Sequence, residues 1–271
     1  MNGEIVTASH LTHTGTGIMH DLNIRLGAKQ LSMVFAAESG SRAWGFHSAD
    51  SDYDVRFIFC KPVEKYIALH DGLQDIQYKH SEVLDYAGWD LRKALLLAEK
   101  SNPSLIEWLN SPIVYADPIG FRAELRSIMV DHFSPRALAH HYINFMRNIR
   151  GKYLSDFMGE YTMKRYFYAL RPILAIMWMQ SNPNKLPPIV FTELMAQPLD
   201  HELKREIKKL LALKLAASKE QSDYNSPVLD NFIKHWFDMG HDIVNGFSPR
   251  ALPVELLNQL FRKTIERLDP W

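Results

Sequence analysis

The 271-residue sequence is nearly without cysteine: Cys60 stands alone. No disulfide can form within the chain, and nothing marks an oxidising compartment. Cys60 closes an apolar stretch and reads as a small buried hydrophobe. Long hydrophobic runs are also missing. The most apolar stretch, residues 166–179, is too short for a membrane span and contains Arg171 and Pro172. Residues 1–17 lack the basic start and apolar run of a signal peptide. No Walker loop, dinucleotide fingerprint or zinc spacing is present, and the twelve histidines form no metal-ligand pattern. These absences predict a soluble, reduced, cytoplasmic protein with no membrane partner.

What is present is ordinary for a folded chain: 46% apolar, 11% aromatic and 23% charged residues. Such a composition excludes disorder, and the length suits one large domain or two modest ones. The net charge of zero conceals an asymmetry. Residues 1–120 carry 10 basic and 15 acidic side chains, and residues 121–271 carry 21 and 16. An acidic first half beside a basic second half suits a metal-binding head and a surface that receives phosphates.

The two halves also differ in period. Residues 31–37 and 52–60 read as strands, and a third strand is expected within 75–87. From residue 89 the spacing becomes helical, and Asn102-Pro103 ends that helix. Asp90, directly ahead of it, is expected to cap it, so that Asp90→Asn should leave stability near that of the natural chain. Another short helix is expected over 104–110. Beyond Pro118 helices dominate: a long apolar one over 162–180, containing Pro172, and a basic amphipathic one over 200–219. Residues 182–188 read as a surface loop. The hexapeptide Phe-Ser-Pro-Arg-Ala-Leu occurs at 133–138 and 247–252. Each copy sets a capping serine before a proline, so each predicts a helix start. The fold class is thus α+β: a small head over 1–118 and an α-helical domain over 119–271.

The chemistry lies in residues 38–56, ESGSRAWGFHSADSDYDVR. A strand runs into Gly40-Ser41, a helix-like turn follows, and Asp52-Tyr53-Asp54 comes shortly after. Residues two apart on a strand share a face, so Asp52 and Asp54 are expected to project together. Neighbouring carboxylates repel unless a cation sits between them, and Mg²⁺ is the usual answer. Gly40 lets a ligand approach the backbone, and Ser41 opens a helix whose free N–H groups attract phosphate. Arg42 and Arg56 are suited either to phosphate or to local carboxylates. Cationic Lys164, Arg165 and Arg171 interleave with Tyr166, Phe167 and Tyr168, the mixture that grips phosphates and stacks a base.

Gly-Ser, a short spacer and Asp-x-Asp together resemble the signature of the DNA-polymerase-beta nucleotidyltransferase superfamily. The resemblance is closer to a bacterial and phage branch, the RNA-repair-pathway polymerase-beta-like proteins. It is carried by residues 38–45, 51–56, 88–95, 102–109, 111–115 and 164–172. It implies a mixed-sheet catalytic head and transfer of a nucleoside monophosphate from an NTP by two Mg²⁺ ions, with Mn²⁺ as a substitute. Asp52 and Asp54 would hold metal with a third carboxylate, assigned by position to Asp85, with Glu82 next in order. Gly40, Ser41, Arg42, Lys164, Arg165 and Tyr168 would bind nucleotide. The acceptor implied is an RNA end. A protein or small-molecule acceptor, or a nucleotide-binding regulator without turnover, remains open on the residues alone.

Overall fold

The computed structural model describes residues 15–48, 51–70, 72, 75–79, 83–153, 163–216 and 224–268. Among the described residues five strands form one mixed sheet: β1 (Ser32–Glu38), β2 (Tyr53–Cys60), β3 (Asp75–Lys79), β4 (Leu84–Asp90) and β5 (Val114–Ala116). Their order is β3-β4-β2-β1-β5. β2 and β4 run parallel, and every other neighbouring pair is antiparallel. The stretch expected to hold a third strand therefore holds β3 and the start of β4, two strands where one was expected.

Helices complete the fold: α1 (Gly15–Gly27), α2 (Gly40–Trp44), α3 (Val63–Tyr66), α4 (Leu91–Glu99), α5 (Pro103–Asn110) and α6 (Phe121–His132). The helical half continues with α7 (Pro135–Tyr153), α8 (Met163–Ser181), α9 (Phe191–Leu194), α10 (His201–Ala216), α11 (Pro227–Asn245) and α12 (Val254–Leu268). Among the described residues no helix is long and apolar enough to cross a membrane.

Strand alternation assigns each sheet face a separate partner. Val55, Phe57 and Phe59 of β2 pack with Ile18, Leu22 and Leu26 of α1. Ile58 and Cys60 face the other way, into a larger cluster that runs through Leu105 and Phe121 to Phe167 and Leu170. That cluster continues without a break across residue 118. On the first face Gly88 makes room for Phe57, because a Cβ there would lie 2.1 Å from the Phe57 ring. Asp54 and Arg56 have the parity of Ile58, so they look toward the helical half.

The helix expected over 162–180 is α8, with Pro172 inside it; Thr162 lies outside the described residues. The basic helix is α10, capped by Asp200, whose Oδ1 accepts from the N–H groups of Glu202 and Leu203 at 2.9 and 3.1 Å. Residues 217–219 again lie outside. Ser134 caps α7 as expected, accepting from Ala137 N at 3.2 Å. Ser248-Pro249 starts no helix, which corrects the second expectation. The next helix begins only at Val254. The reason is tertiary: the second hexapeptide lends its backbone to the first. Arg136 Nε donates to Phe247 O at 2.8 Å, and Arg250 N donates to Ser134 Oγ at 3.3 Å. Phe247 and Leu252 are buried.

Asp90 caps α4 as expected, accepting from Arg92 N at 3.0 Å. It does more than that. Its Oδ2 accepts from Tyr66 Oη at 2.7 Å and lies 3.7 Å from Lys61 Nζ, with both ionic side chains buried. An asparagine preserves the cap yet strands the ammonium. Asp90→Asn is therefore expected to cost about 3 kcal/mol, as when one partner of a buried ion pair is removed. Urea denaturation checks this, and it replaces the tolerance expected from capping alone.

Candidate active site

The site is assembled where β1 ends and β2 and β4 begin. Glu38 is the last residue of β1, and Ser39 N donates to Asp54 O at 2.9 Å. Gly40 then turns the chain into α2 with φ of +61°, a conformation that glycine adopts at no steric cost. Arg42 reaches back from α2. Its Nη2 donates to Ser51 O at 2.8 Å, its Nε to Asp52 O at 3.2 Å, and its guanidinium lies 3.8 Å from the Tyr53 ring centroid. Arg42 thus pins the turn that delivers Asp54.

Asp54 and Asp85 are register partners across the parallel β2–β4 pair. Arg56 stands between them, with Nη2 2.9 Å from Asp54 Oδ1 and Nη1 2.9 Å from Asp85 Oδ2. Burial raises the Asp54 carboxyl above the usual carboxylate range. Arg56 opposes that rise, Asp85 and Asp52 add to it, and Lys164 opposes it. Asp52 sits one residue ahead of β2, in the turn, so it acts on Asp54 as a nearby charge. Asp50 and Glu82 lie outside the described residues.

Behind Asp54 is a residue to which sequence reasoning gave no role. Glu38 is fully buried; its Oε1 accepts from Asp54 N at 2.8 Å and its Oε2 from the Tyr115 hydroxyl. Burial raises its carboxyl above the ordinary 4.5 despite the bonds from Tyr115 and Asp54. The protonated form therefore favours the fold, and that contribution fades as pH rises through the folded value. Glu38→Gln keeps an acceptor for Asp54 N without the charge. Its stability relative to the natural chain should rise as pH climbs from below the ordinary 4.5 through the raised folded value; chemical denaturation across that range measures it.

These groups open onto a cleft of about 410 Å³ between the sheet and the helical half. Ser39, Gly40, Asp54, Arg56 and Asp85 line it from the sheet side, and Tyr142, Phe145, Tyr168, Arg171 and Pro172 from α7 and α8. Trp44 and Tyr168 meet edge to face at 5.5 Å, while Trp89 and Trp108 stack at 3.7 Å. Arg171 is buried, paired with Glu107 and 4.3 Å from the Trp44 ring centroid.

Of the expected nucleotide-binding residues, Gly40 and Tyr168 line this cleft; Ser41, Arg42, Lys164 and Arg165 lie outside its lining. Exposed Lys164 reaches over Tyr168, 5.8 Å from its ring centroid. Tyr166 and Phe167 belong to the core; the Tyr166 hydroxyl donates to Asp230 at 2.7 Å. Among the described residues no three His, Cys, Asp or Glu side chains converge as a metal-binding group.

The chain belongs to the RlaP family, described as the RNA repair pathway DNA polymerase beta family, which it matches over residues 17–263. Membership supports nucleotidyltransferase activity of the polymerase-beta kind, with an RNA-repair theme. The chain is 42% identical over 208 residues to the uncharacterized protein YcgL of Bacillus subtilis (strain 168), covering 75% of this chain and 78% of that one. A crystal structure of a nucleotidyltransferase-like protein from Exiguobacterium sibiricum 255-15 aligns over 92% of this chain and 76% of its own. Its TM-score of 0.28 and 10% identity are too low to argue from.

Proposed function

We propose that the protein is a Mg²⁺-dependent nucleotidyltransferase that moves a nucleoside monophosphate from an NTP to the hydroxyl of an RNA end. In this reading residues 1–118 form the catalytic head, and residues 119–271 form the helical part that walls the cleft. The observation that carries the reading is the Asp54–Asp85 pair, in register on adjacent parallel strands and facing the cleft.

The Asp54–Asp85 pair supports this reading by offering two carboxylates to a divalent cation. Two partly exposed carboxylates already share one positive group, Arg56, and Gly40 leaves open the space where a side chain would meet Asp54. Asp54 and Asp85 would hold the metal, with Asp52 ahead of β2 adding negative charge nearby. When bound, Mg²⁺ supplies Lewis-acid charge neutralisation at the phosphates and a more reactive attacking hydroxyl. The chain's own residues do the rest. Glu38 fixes the Asp54 backbone, and Arg42 holds the preceding turn. Gly40 and Ser41 would face the triphosphate, and Lys164 and Arg165 would add positive charge at the mouth. Tyr168, Trp44 and Phe145 offer ring surfaces to a base. The new bond joins the acceptor oxygen to the α-phosphorus, the bond to pyrophosphate breaks, and the hydroxyl proton is released.

The RNA acceptor rests on the family's description and on the excess of basic residues in the second half. A nucleotide-binding regulator without turnover is the second reading, favoured by Arg56 already neutralising both carboxylates. Incubation with each labelled NTP and RNA, with and without Mg²⁺, separates the two. Mg²⁺-dependent label on RNA supports transfer; nucleotide binding with no label on RNA, protein or metabolites supports the regulator.

A further inference from the structure

Arg56 is the feature of the site that a metal-binding carboxylate pair does not require. It sits two residues beyond Asp54 on the same strand face, with its side chain 18% exposed. Besides its two ion pairs, Nη1 donates to Val55 O at 3.2 Å and Asp85 O at 3.3 Å. The guanidinium is thereby fixed by backbone as well as by carboxylates. It is a fixed cation, held beside both carboxylates by these contacts. Each carboxylate keeps one oxygen, Asp54 Oδ2 and Asp85 Oδ1, outside the two ion pairs.

Resting on the nucleotidyltransferase reading above, we infer that Arg56 is a positioning residue that sets the order of loading. It holds Asp54 and Asp85 together as a resident counter-ion and keeps free divalent cations out. Metal then enters with the nucleotide, whose phosphates add the negative charge that a bare ion lacks. A fixed positive group beside both ligands repels a bare dication, and triphosphate oxygens offset that repulsion. Two carboxylates would otherwise repel each other across the strand pair. The arrangement thus keeps the site assembled and unloaded until substrate arrives.

The test is Mn²⁺ binding followed by electron paramagnetic resonance, without turnover. In the natural chain Mn²⁺ alone should bind weakly, and more tightly with a non-hydrolysable NTP analogue. Arg56→Met should bind Mn²⁺ alone on the order of tenfold more tightly, a gain that Asp54→Asn in the same chain removes. A merely structural arginine would give the opposite sign, because its loss would scatter the carboxylates. Unchanged or weaker Mn²⁺ binding in an Arg56→Met chain with natural circular dichroism overturns the inference. Should that variant not fold, Arg56→Gln keeps a polar side chain beside both carboxylates without the charge. It should bind Mn²⁺ alone on the order of tenfold more tightly, and no gain overturns the inference equally. Label transfer by the natural chain tests the nucleotidyltransferase reading separately, so either can fail alone.

Discussion

Asp54→Asn is expected to abolish nucleotidyl transfer while leaving the fold at least as stable as before. Asparagine keeps the volume and leaves the backbone N–H of Asp54 on Glu38. It removes a carboxylate that burial already disfavours, so metal-free stability should hold or rise slightly. Loss of a metal ligand removes transition-state stabilisation of about 4 kcal/mol or more, about a thousandfold in rate. Asp85→Asn should fall in the same class, because Asp85 is the register partner of Asp54 and shares the same arginine. Transfer assays beside thermal melts measure both effects. Natural turnover by either variant would remove that residue from the proposed metal site.

Gly40→Ala is the second large effect, and the fold adds a reason to the one read from the sequence. Glycine there was expected to make room for a triphosphate. In the fold, a Cβ at residue 40 would lie 2.2 Å from Asp54 Oδ2. Any side chain at 40 therefore pushes the carboxylate off its place. The positive φ adds about 1–2 kcal/mol of backbone strain for an L-residue. Transfer should drop by about two orders of magnitude or more, since a misplacement of about 1 Å suffices for that. The diagnostic is non-additivity: Gly40→Ala combined with Asp54→Asn should transfer no worse than Asp54→Asn alone, because both act through one carboxylate. Additive losses would return the glycine to a direct role against phosphate.

These two positions show how far the residues could be read in advance. Asp54 was legible because Gly-Ser, the spacer and the strand pattern around it are local signals. Asp85 was legible as its partner from the resemblance and from position, but the arginine between them was not, because the Arg56 bridge depends on β2 pairing in parallel with β4, and no local pattern specifies that neighbour. Glu38 was equally hidden: sixteen residues separate it from Asp54, and only antiparallel β1–β2 pairing brings them together. β1 announced itself as a short apolar run, and β2 by its alternation and its β-branched and aromatic residues. β5, three residues long, is too brief to carry a period. α1 buries Ile18, Leu22 and Leu26 at four-residue spacing, but Gly15, Gly17 and Asn23 dilute the signal. Among helix starts, Ser134 and Ser248 carry identical local instructions, and their different outcomes show tertiary partners overriding a strong capping signal.

The paired hexapeptides also impose a timetable on the chain as it is made. Ser134 and Arg250 are 116 residues apart, and Arg136 and Phe247 are 111 apart. A ribosome adding ~5–20 residues per second takes ~6–23 s between the two copies. Throughout that interval the first copy has its own cap but not the strand of backbone that its arginine grips. The head, with both sheet carboxylates, has been synthesised well before then. Closing so long a loop carries an entropic penalty that grows only slowly with length, so delay rather than thermodynamic cost is what the design incurs. A nascent chain therefore carries Asp54, Arg56 and Asp85 well before the contact that ties the start of α7 to residues 247–250 has been made.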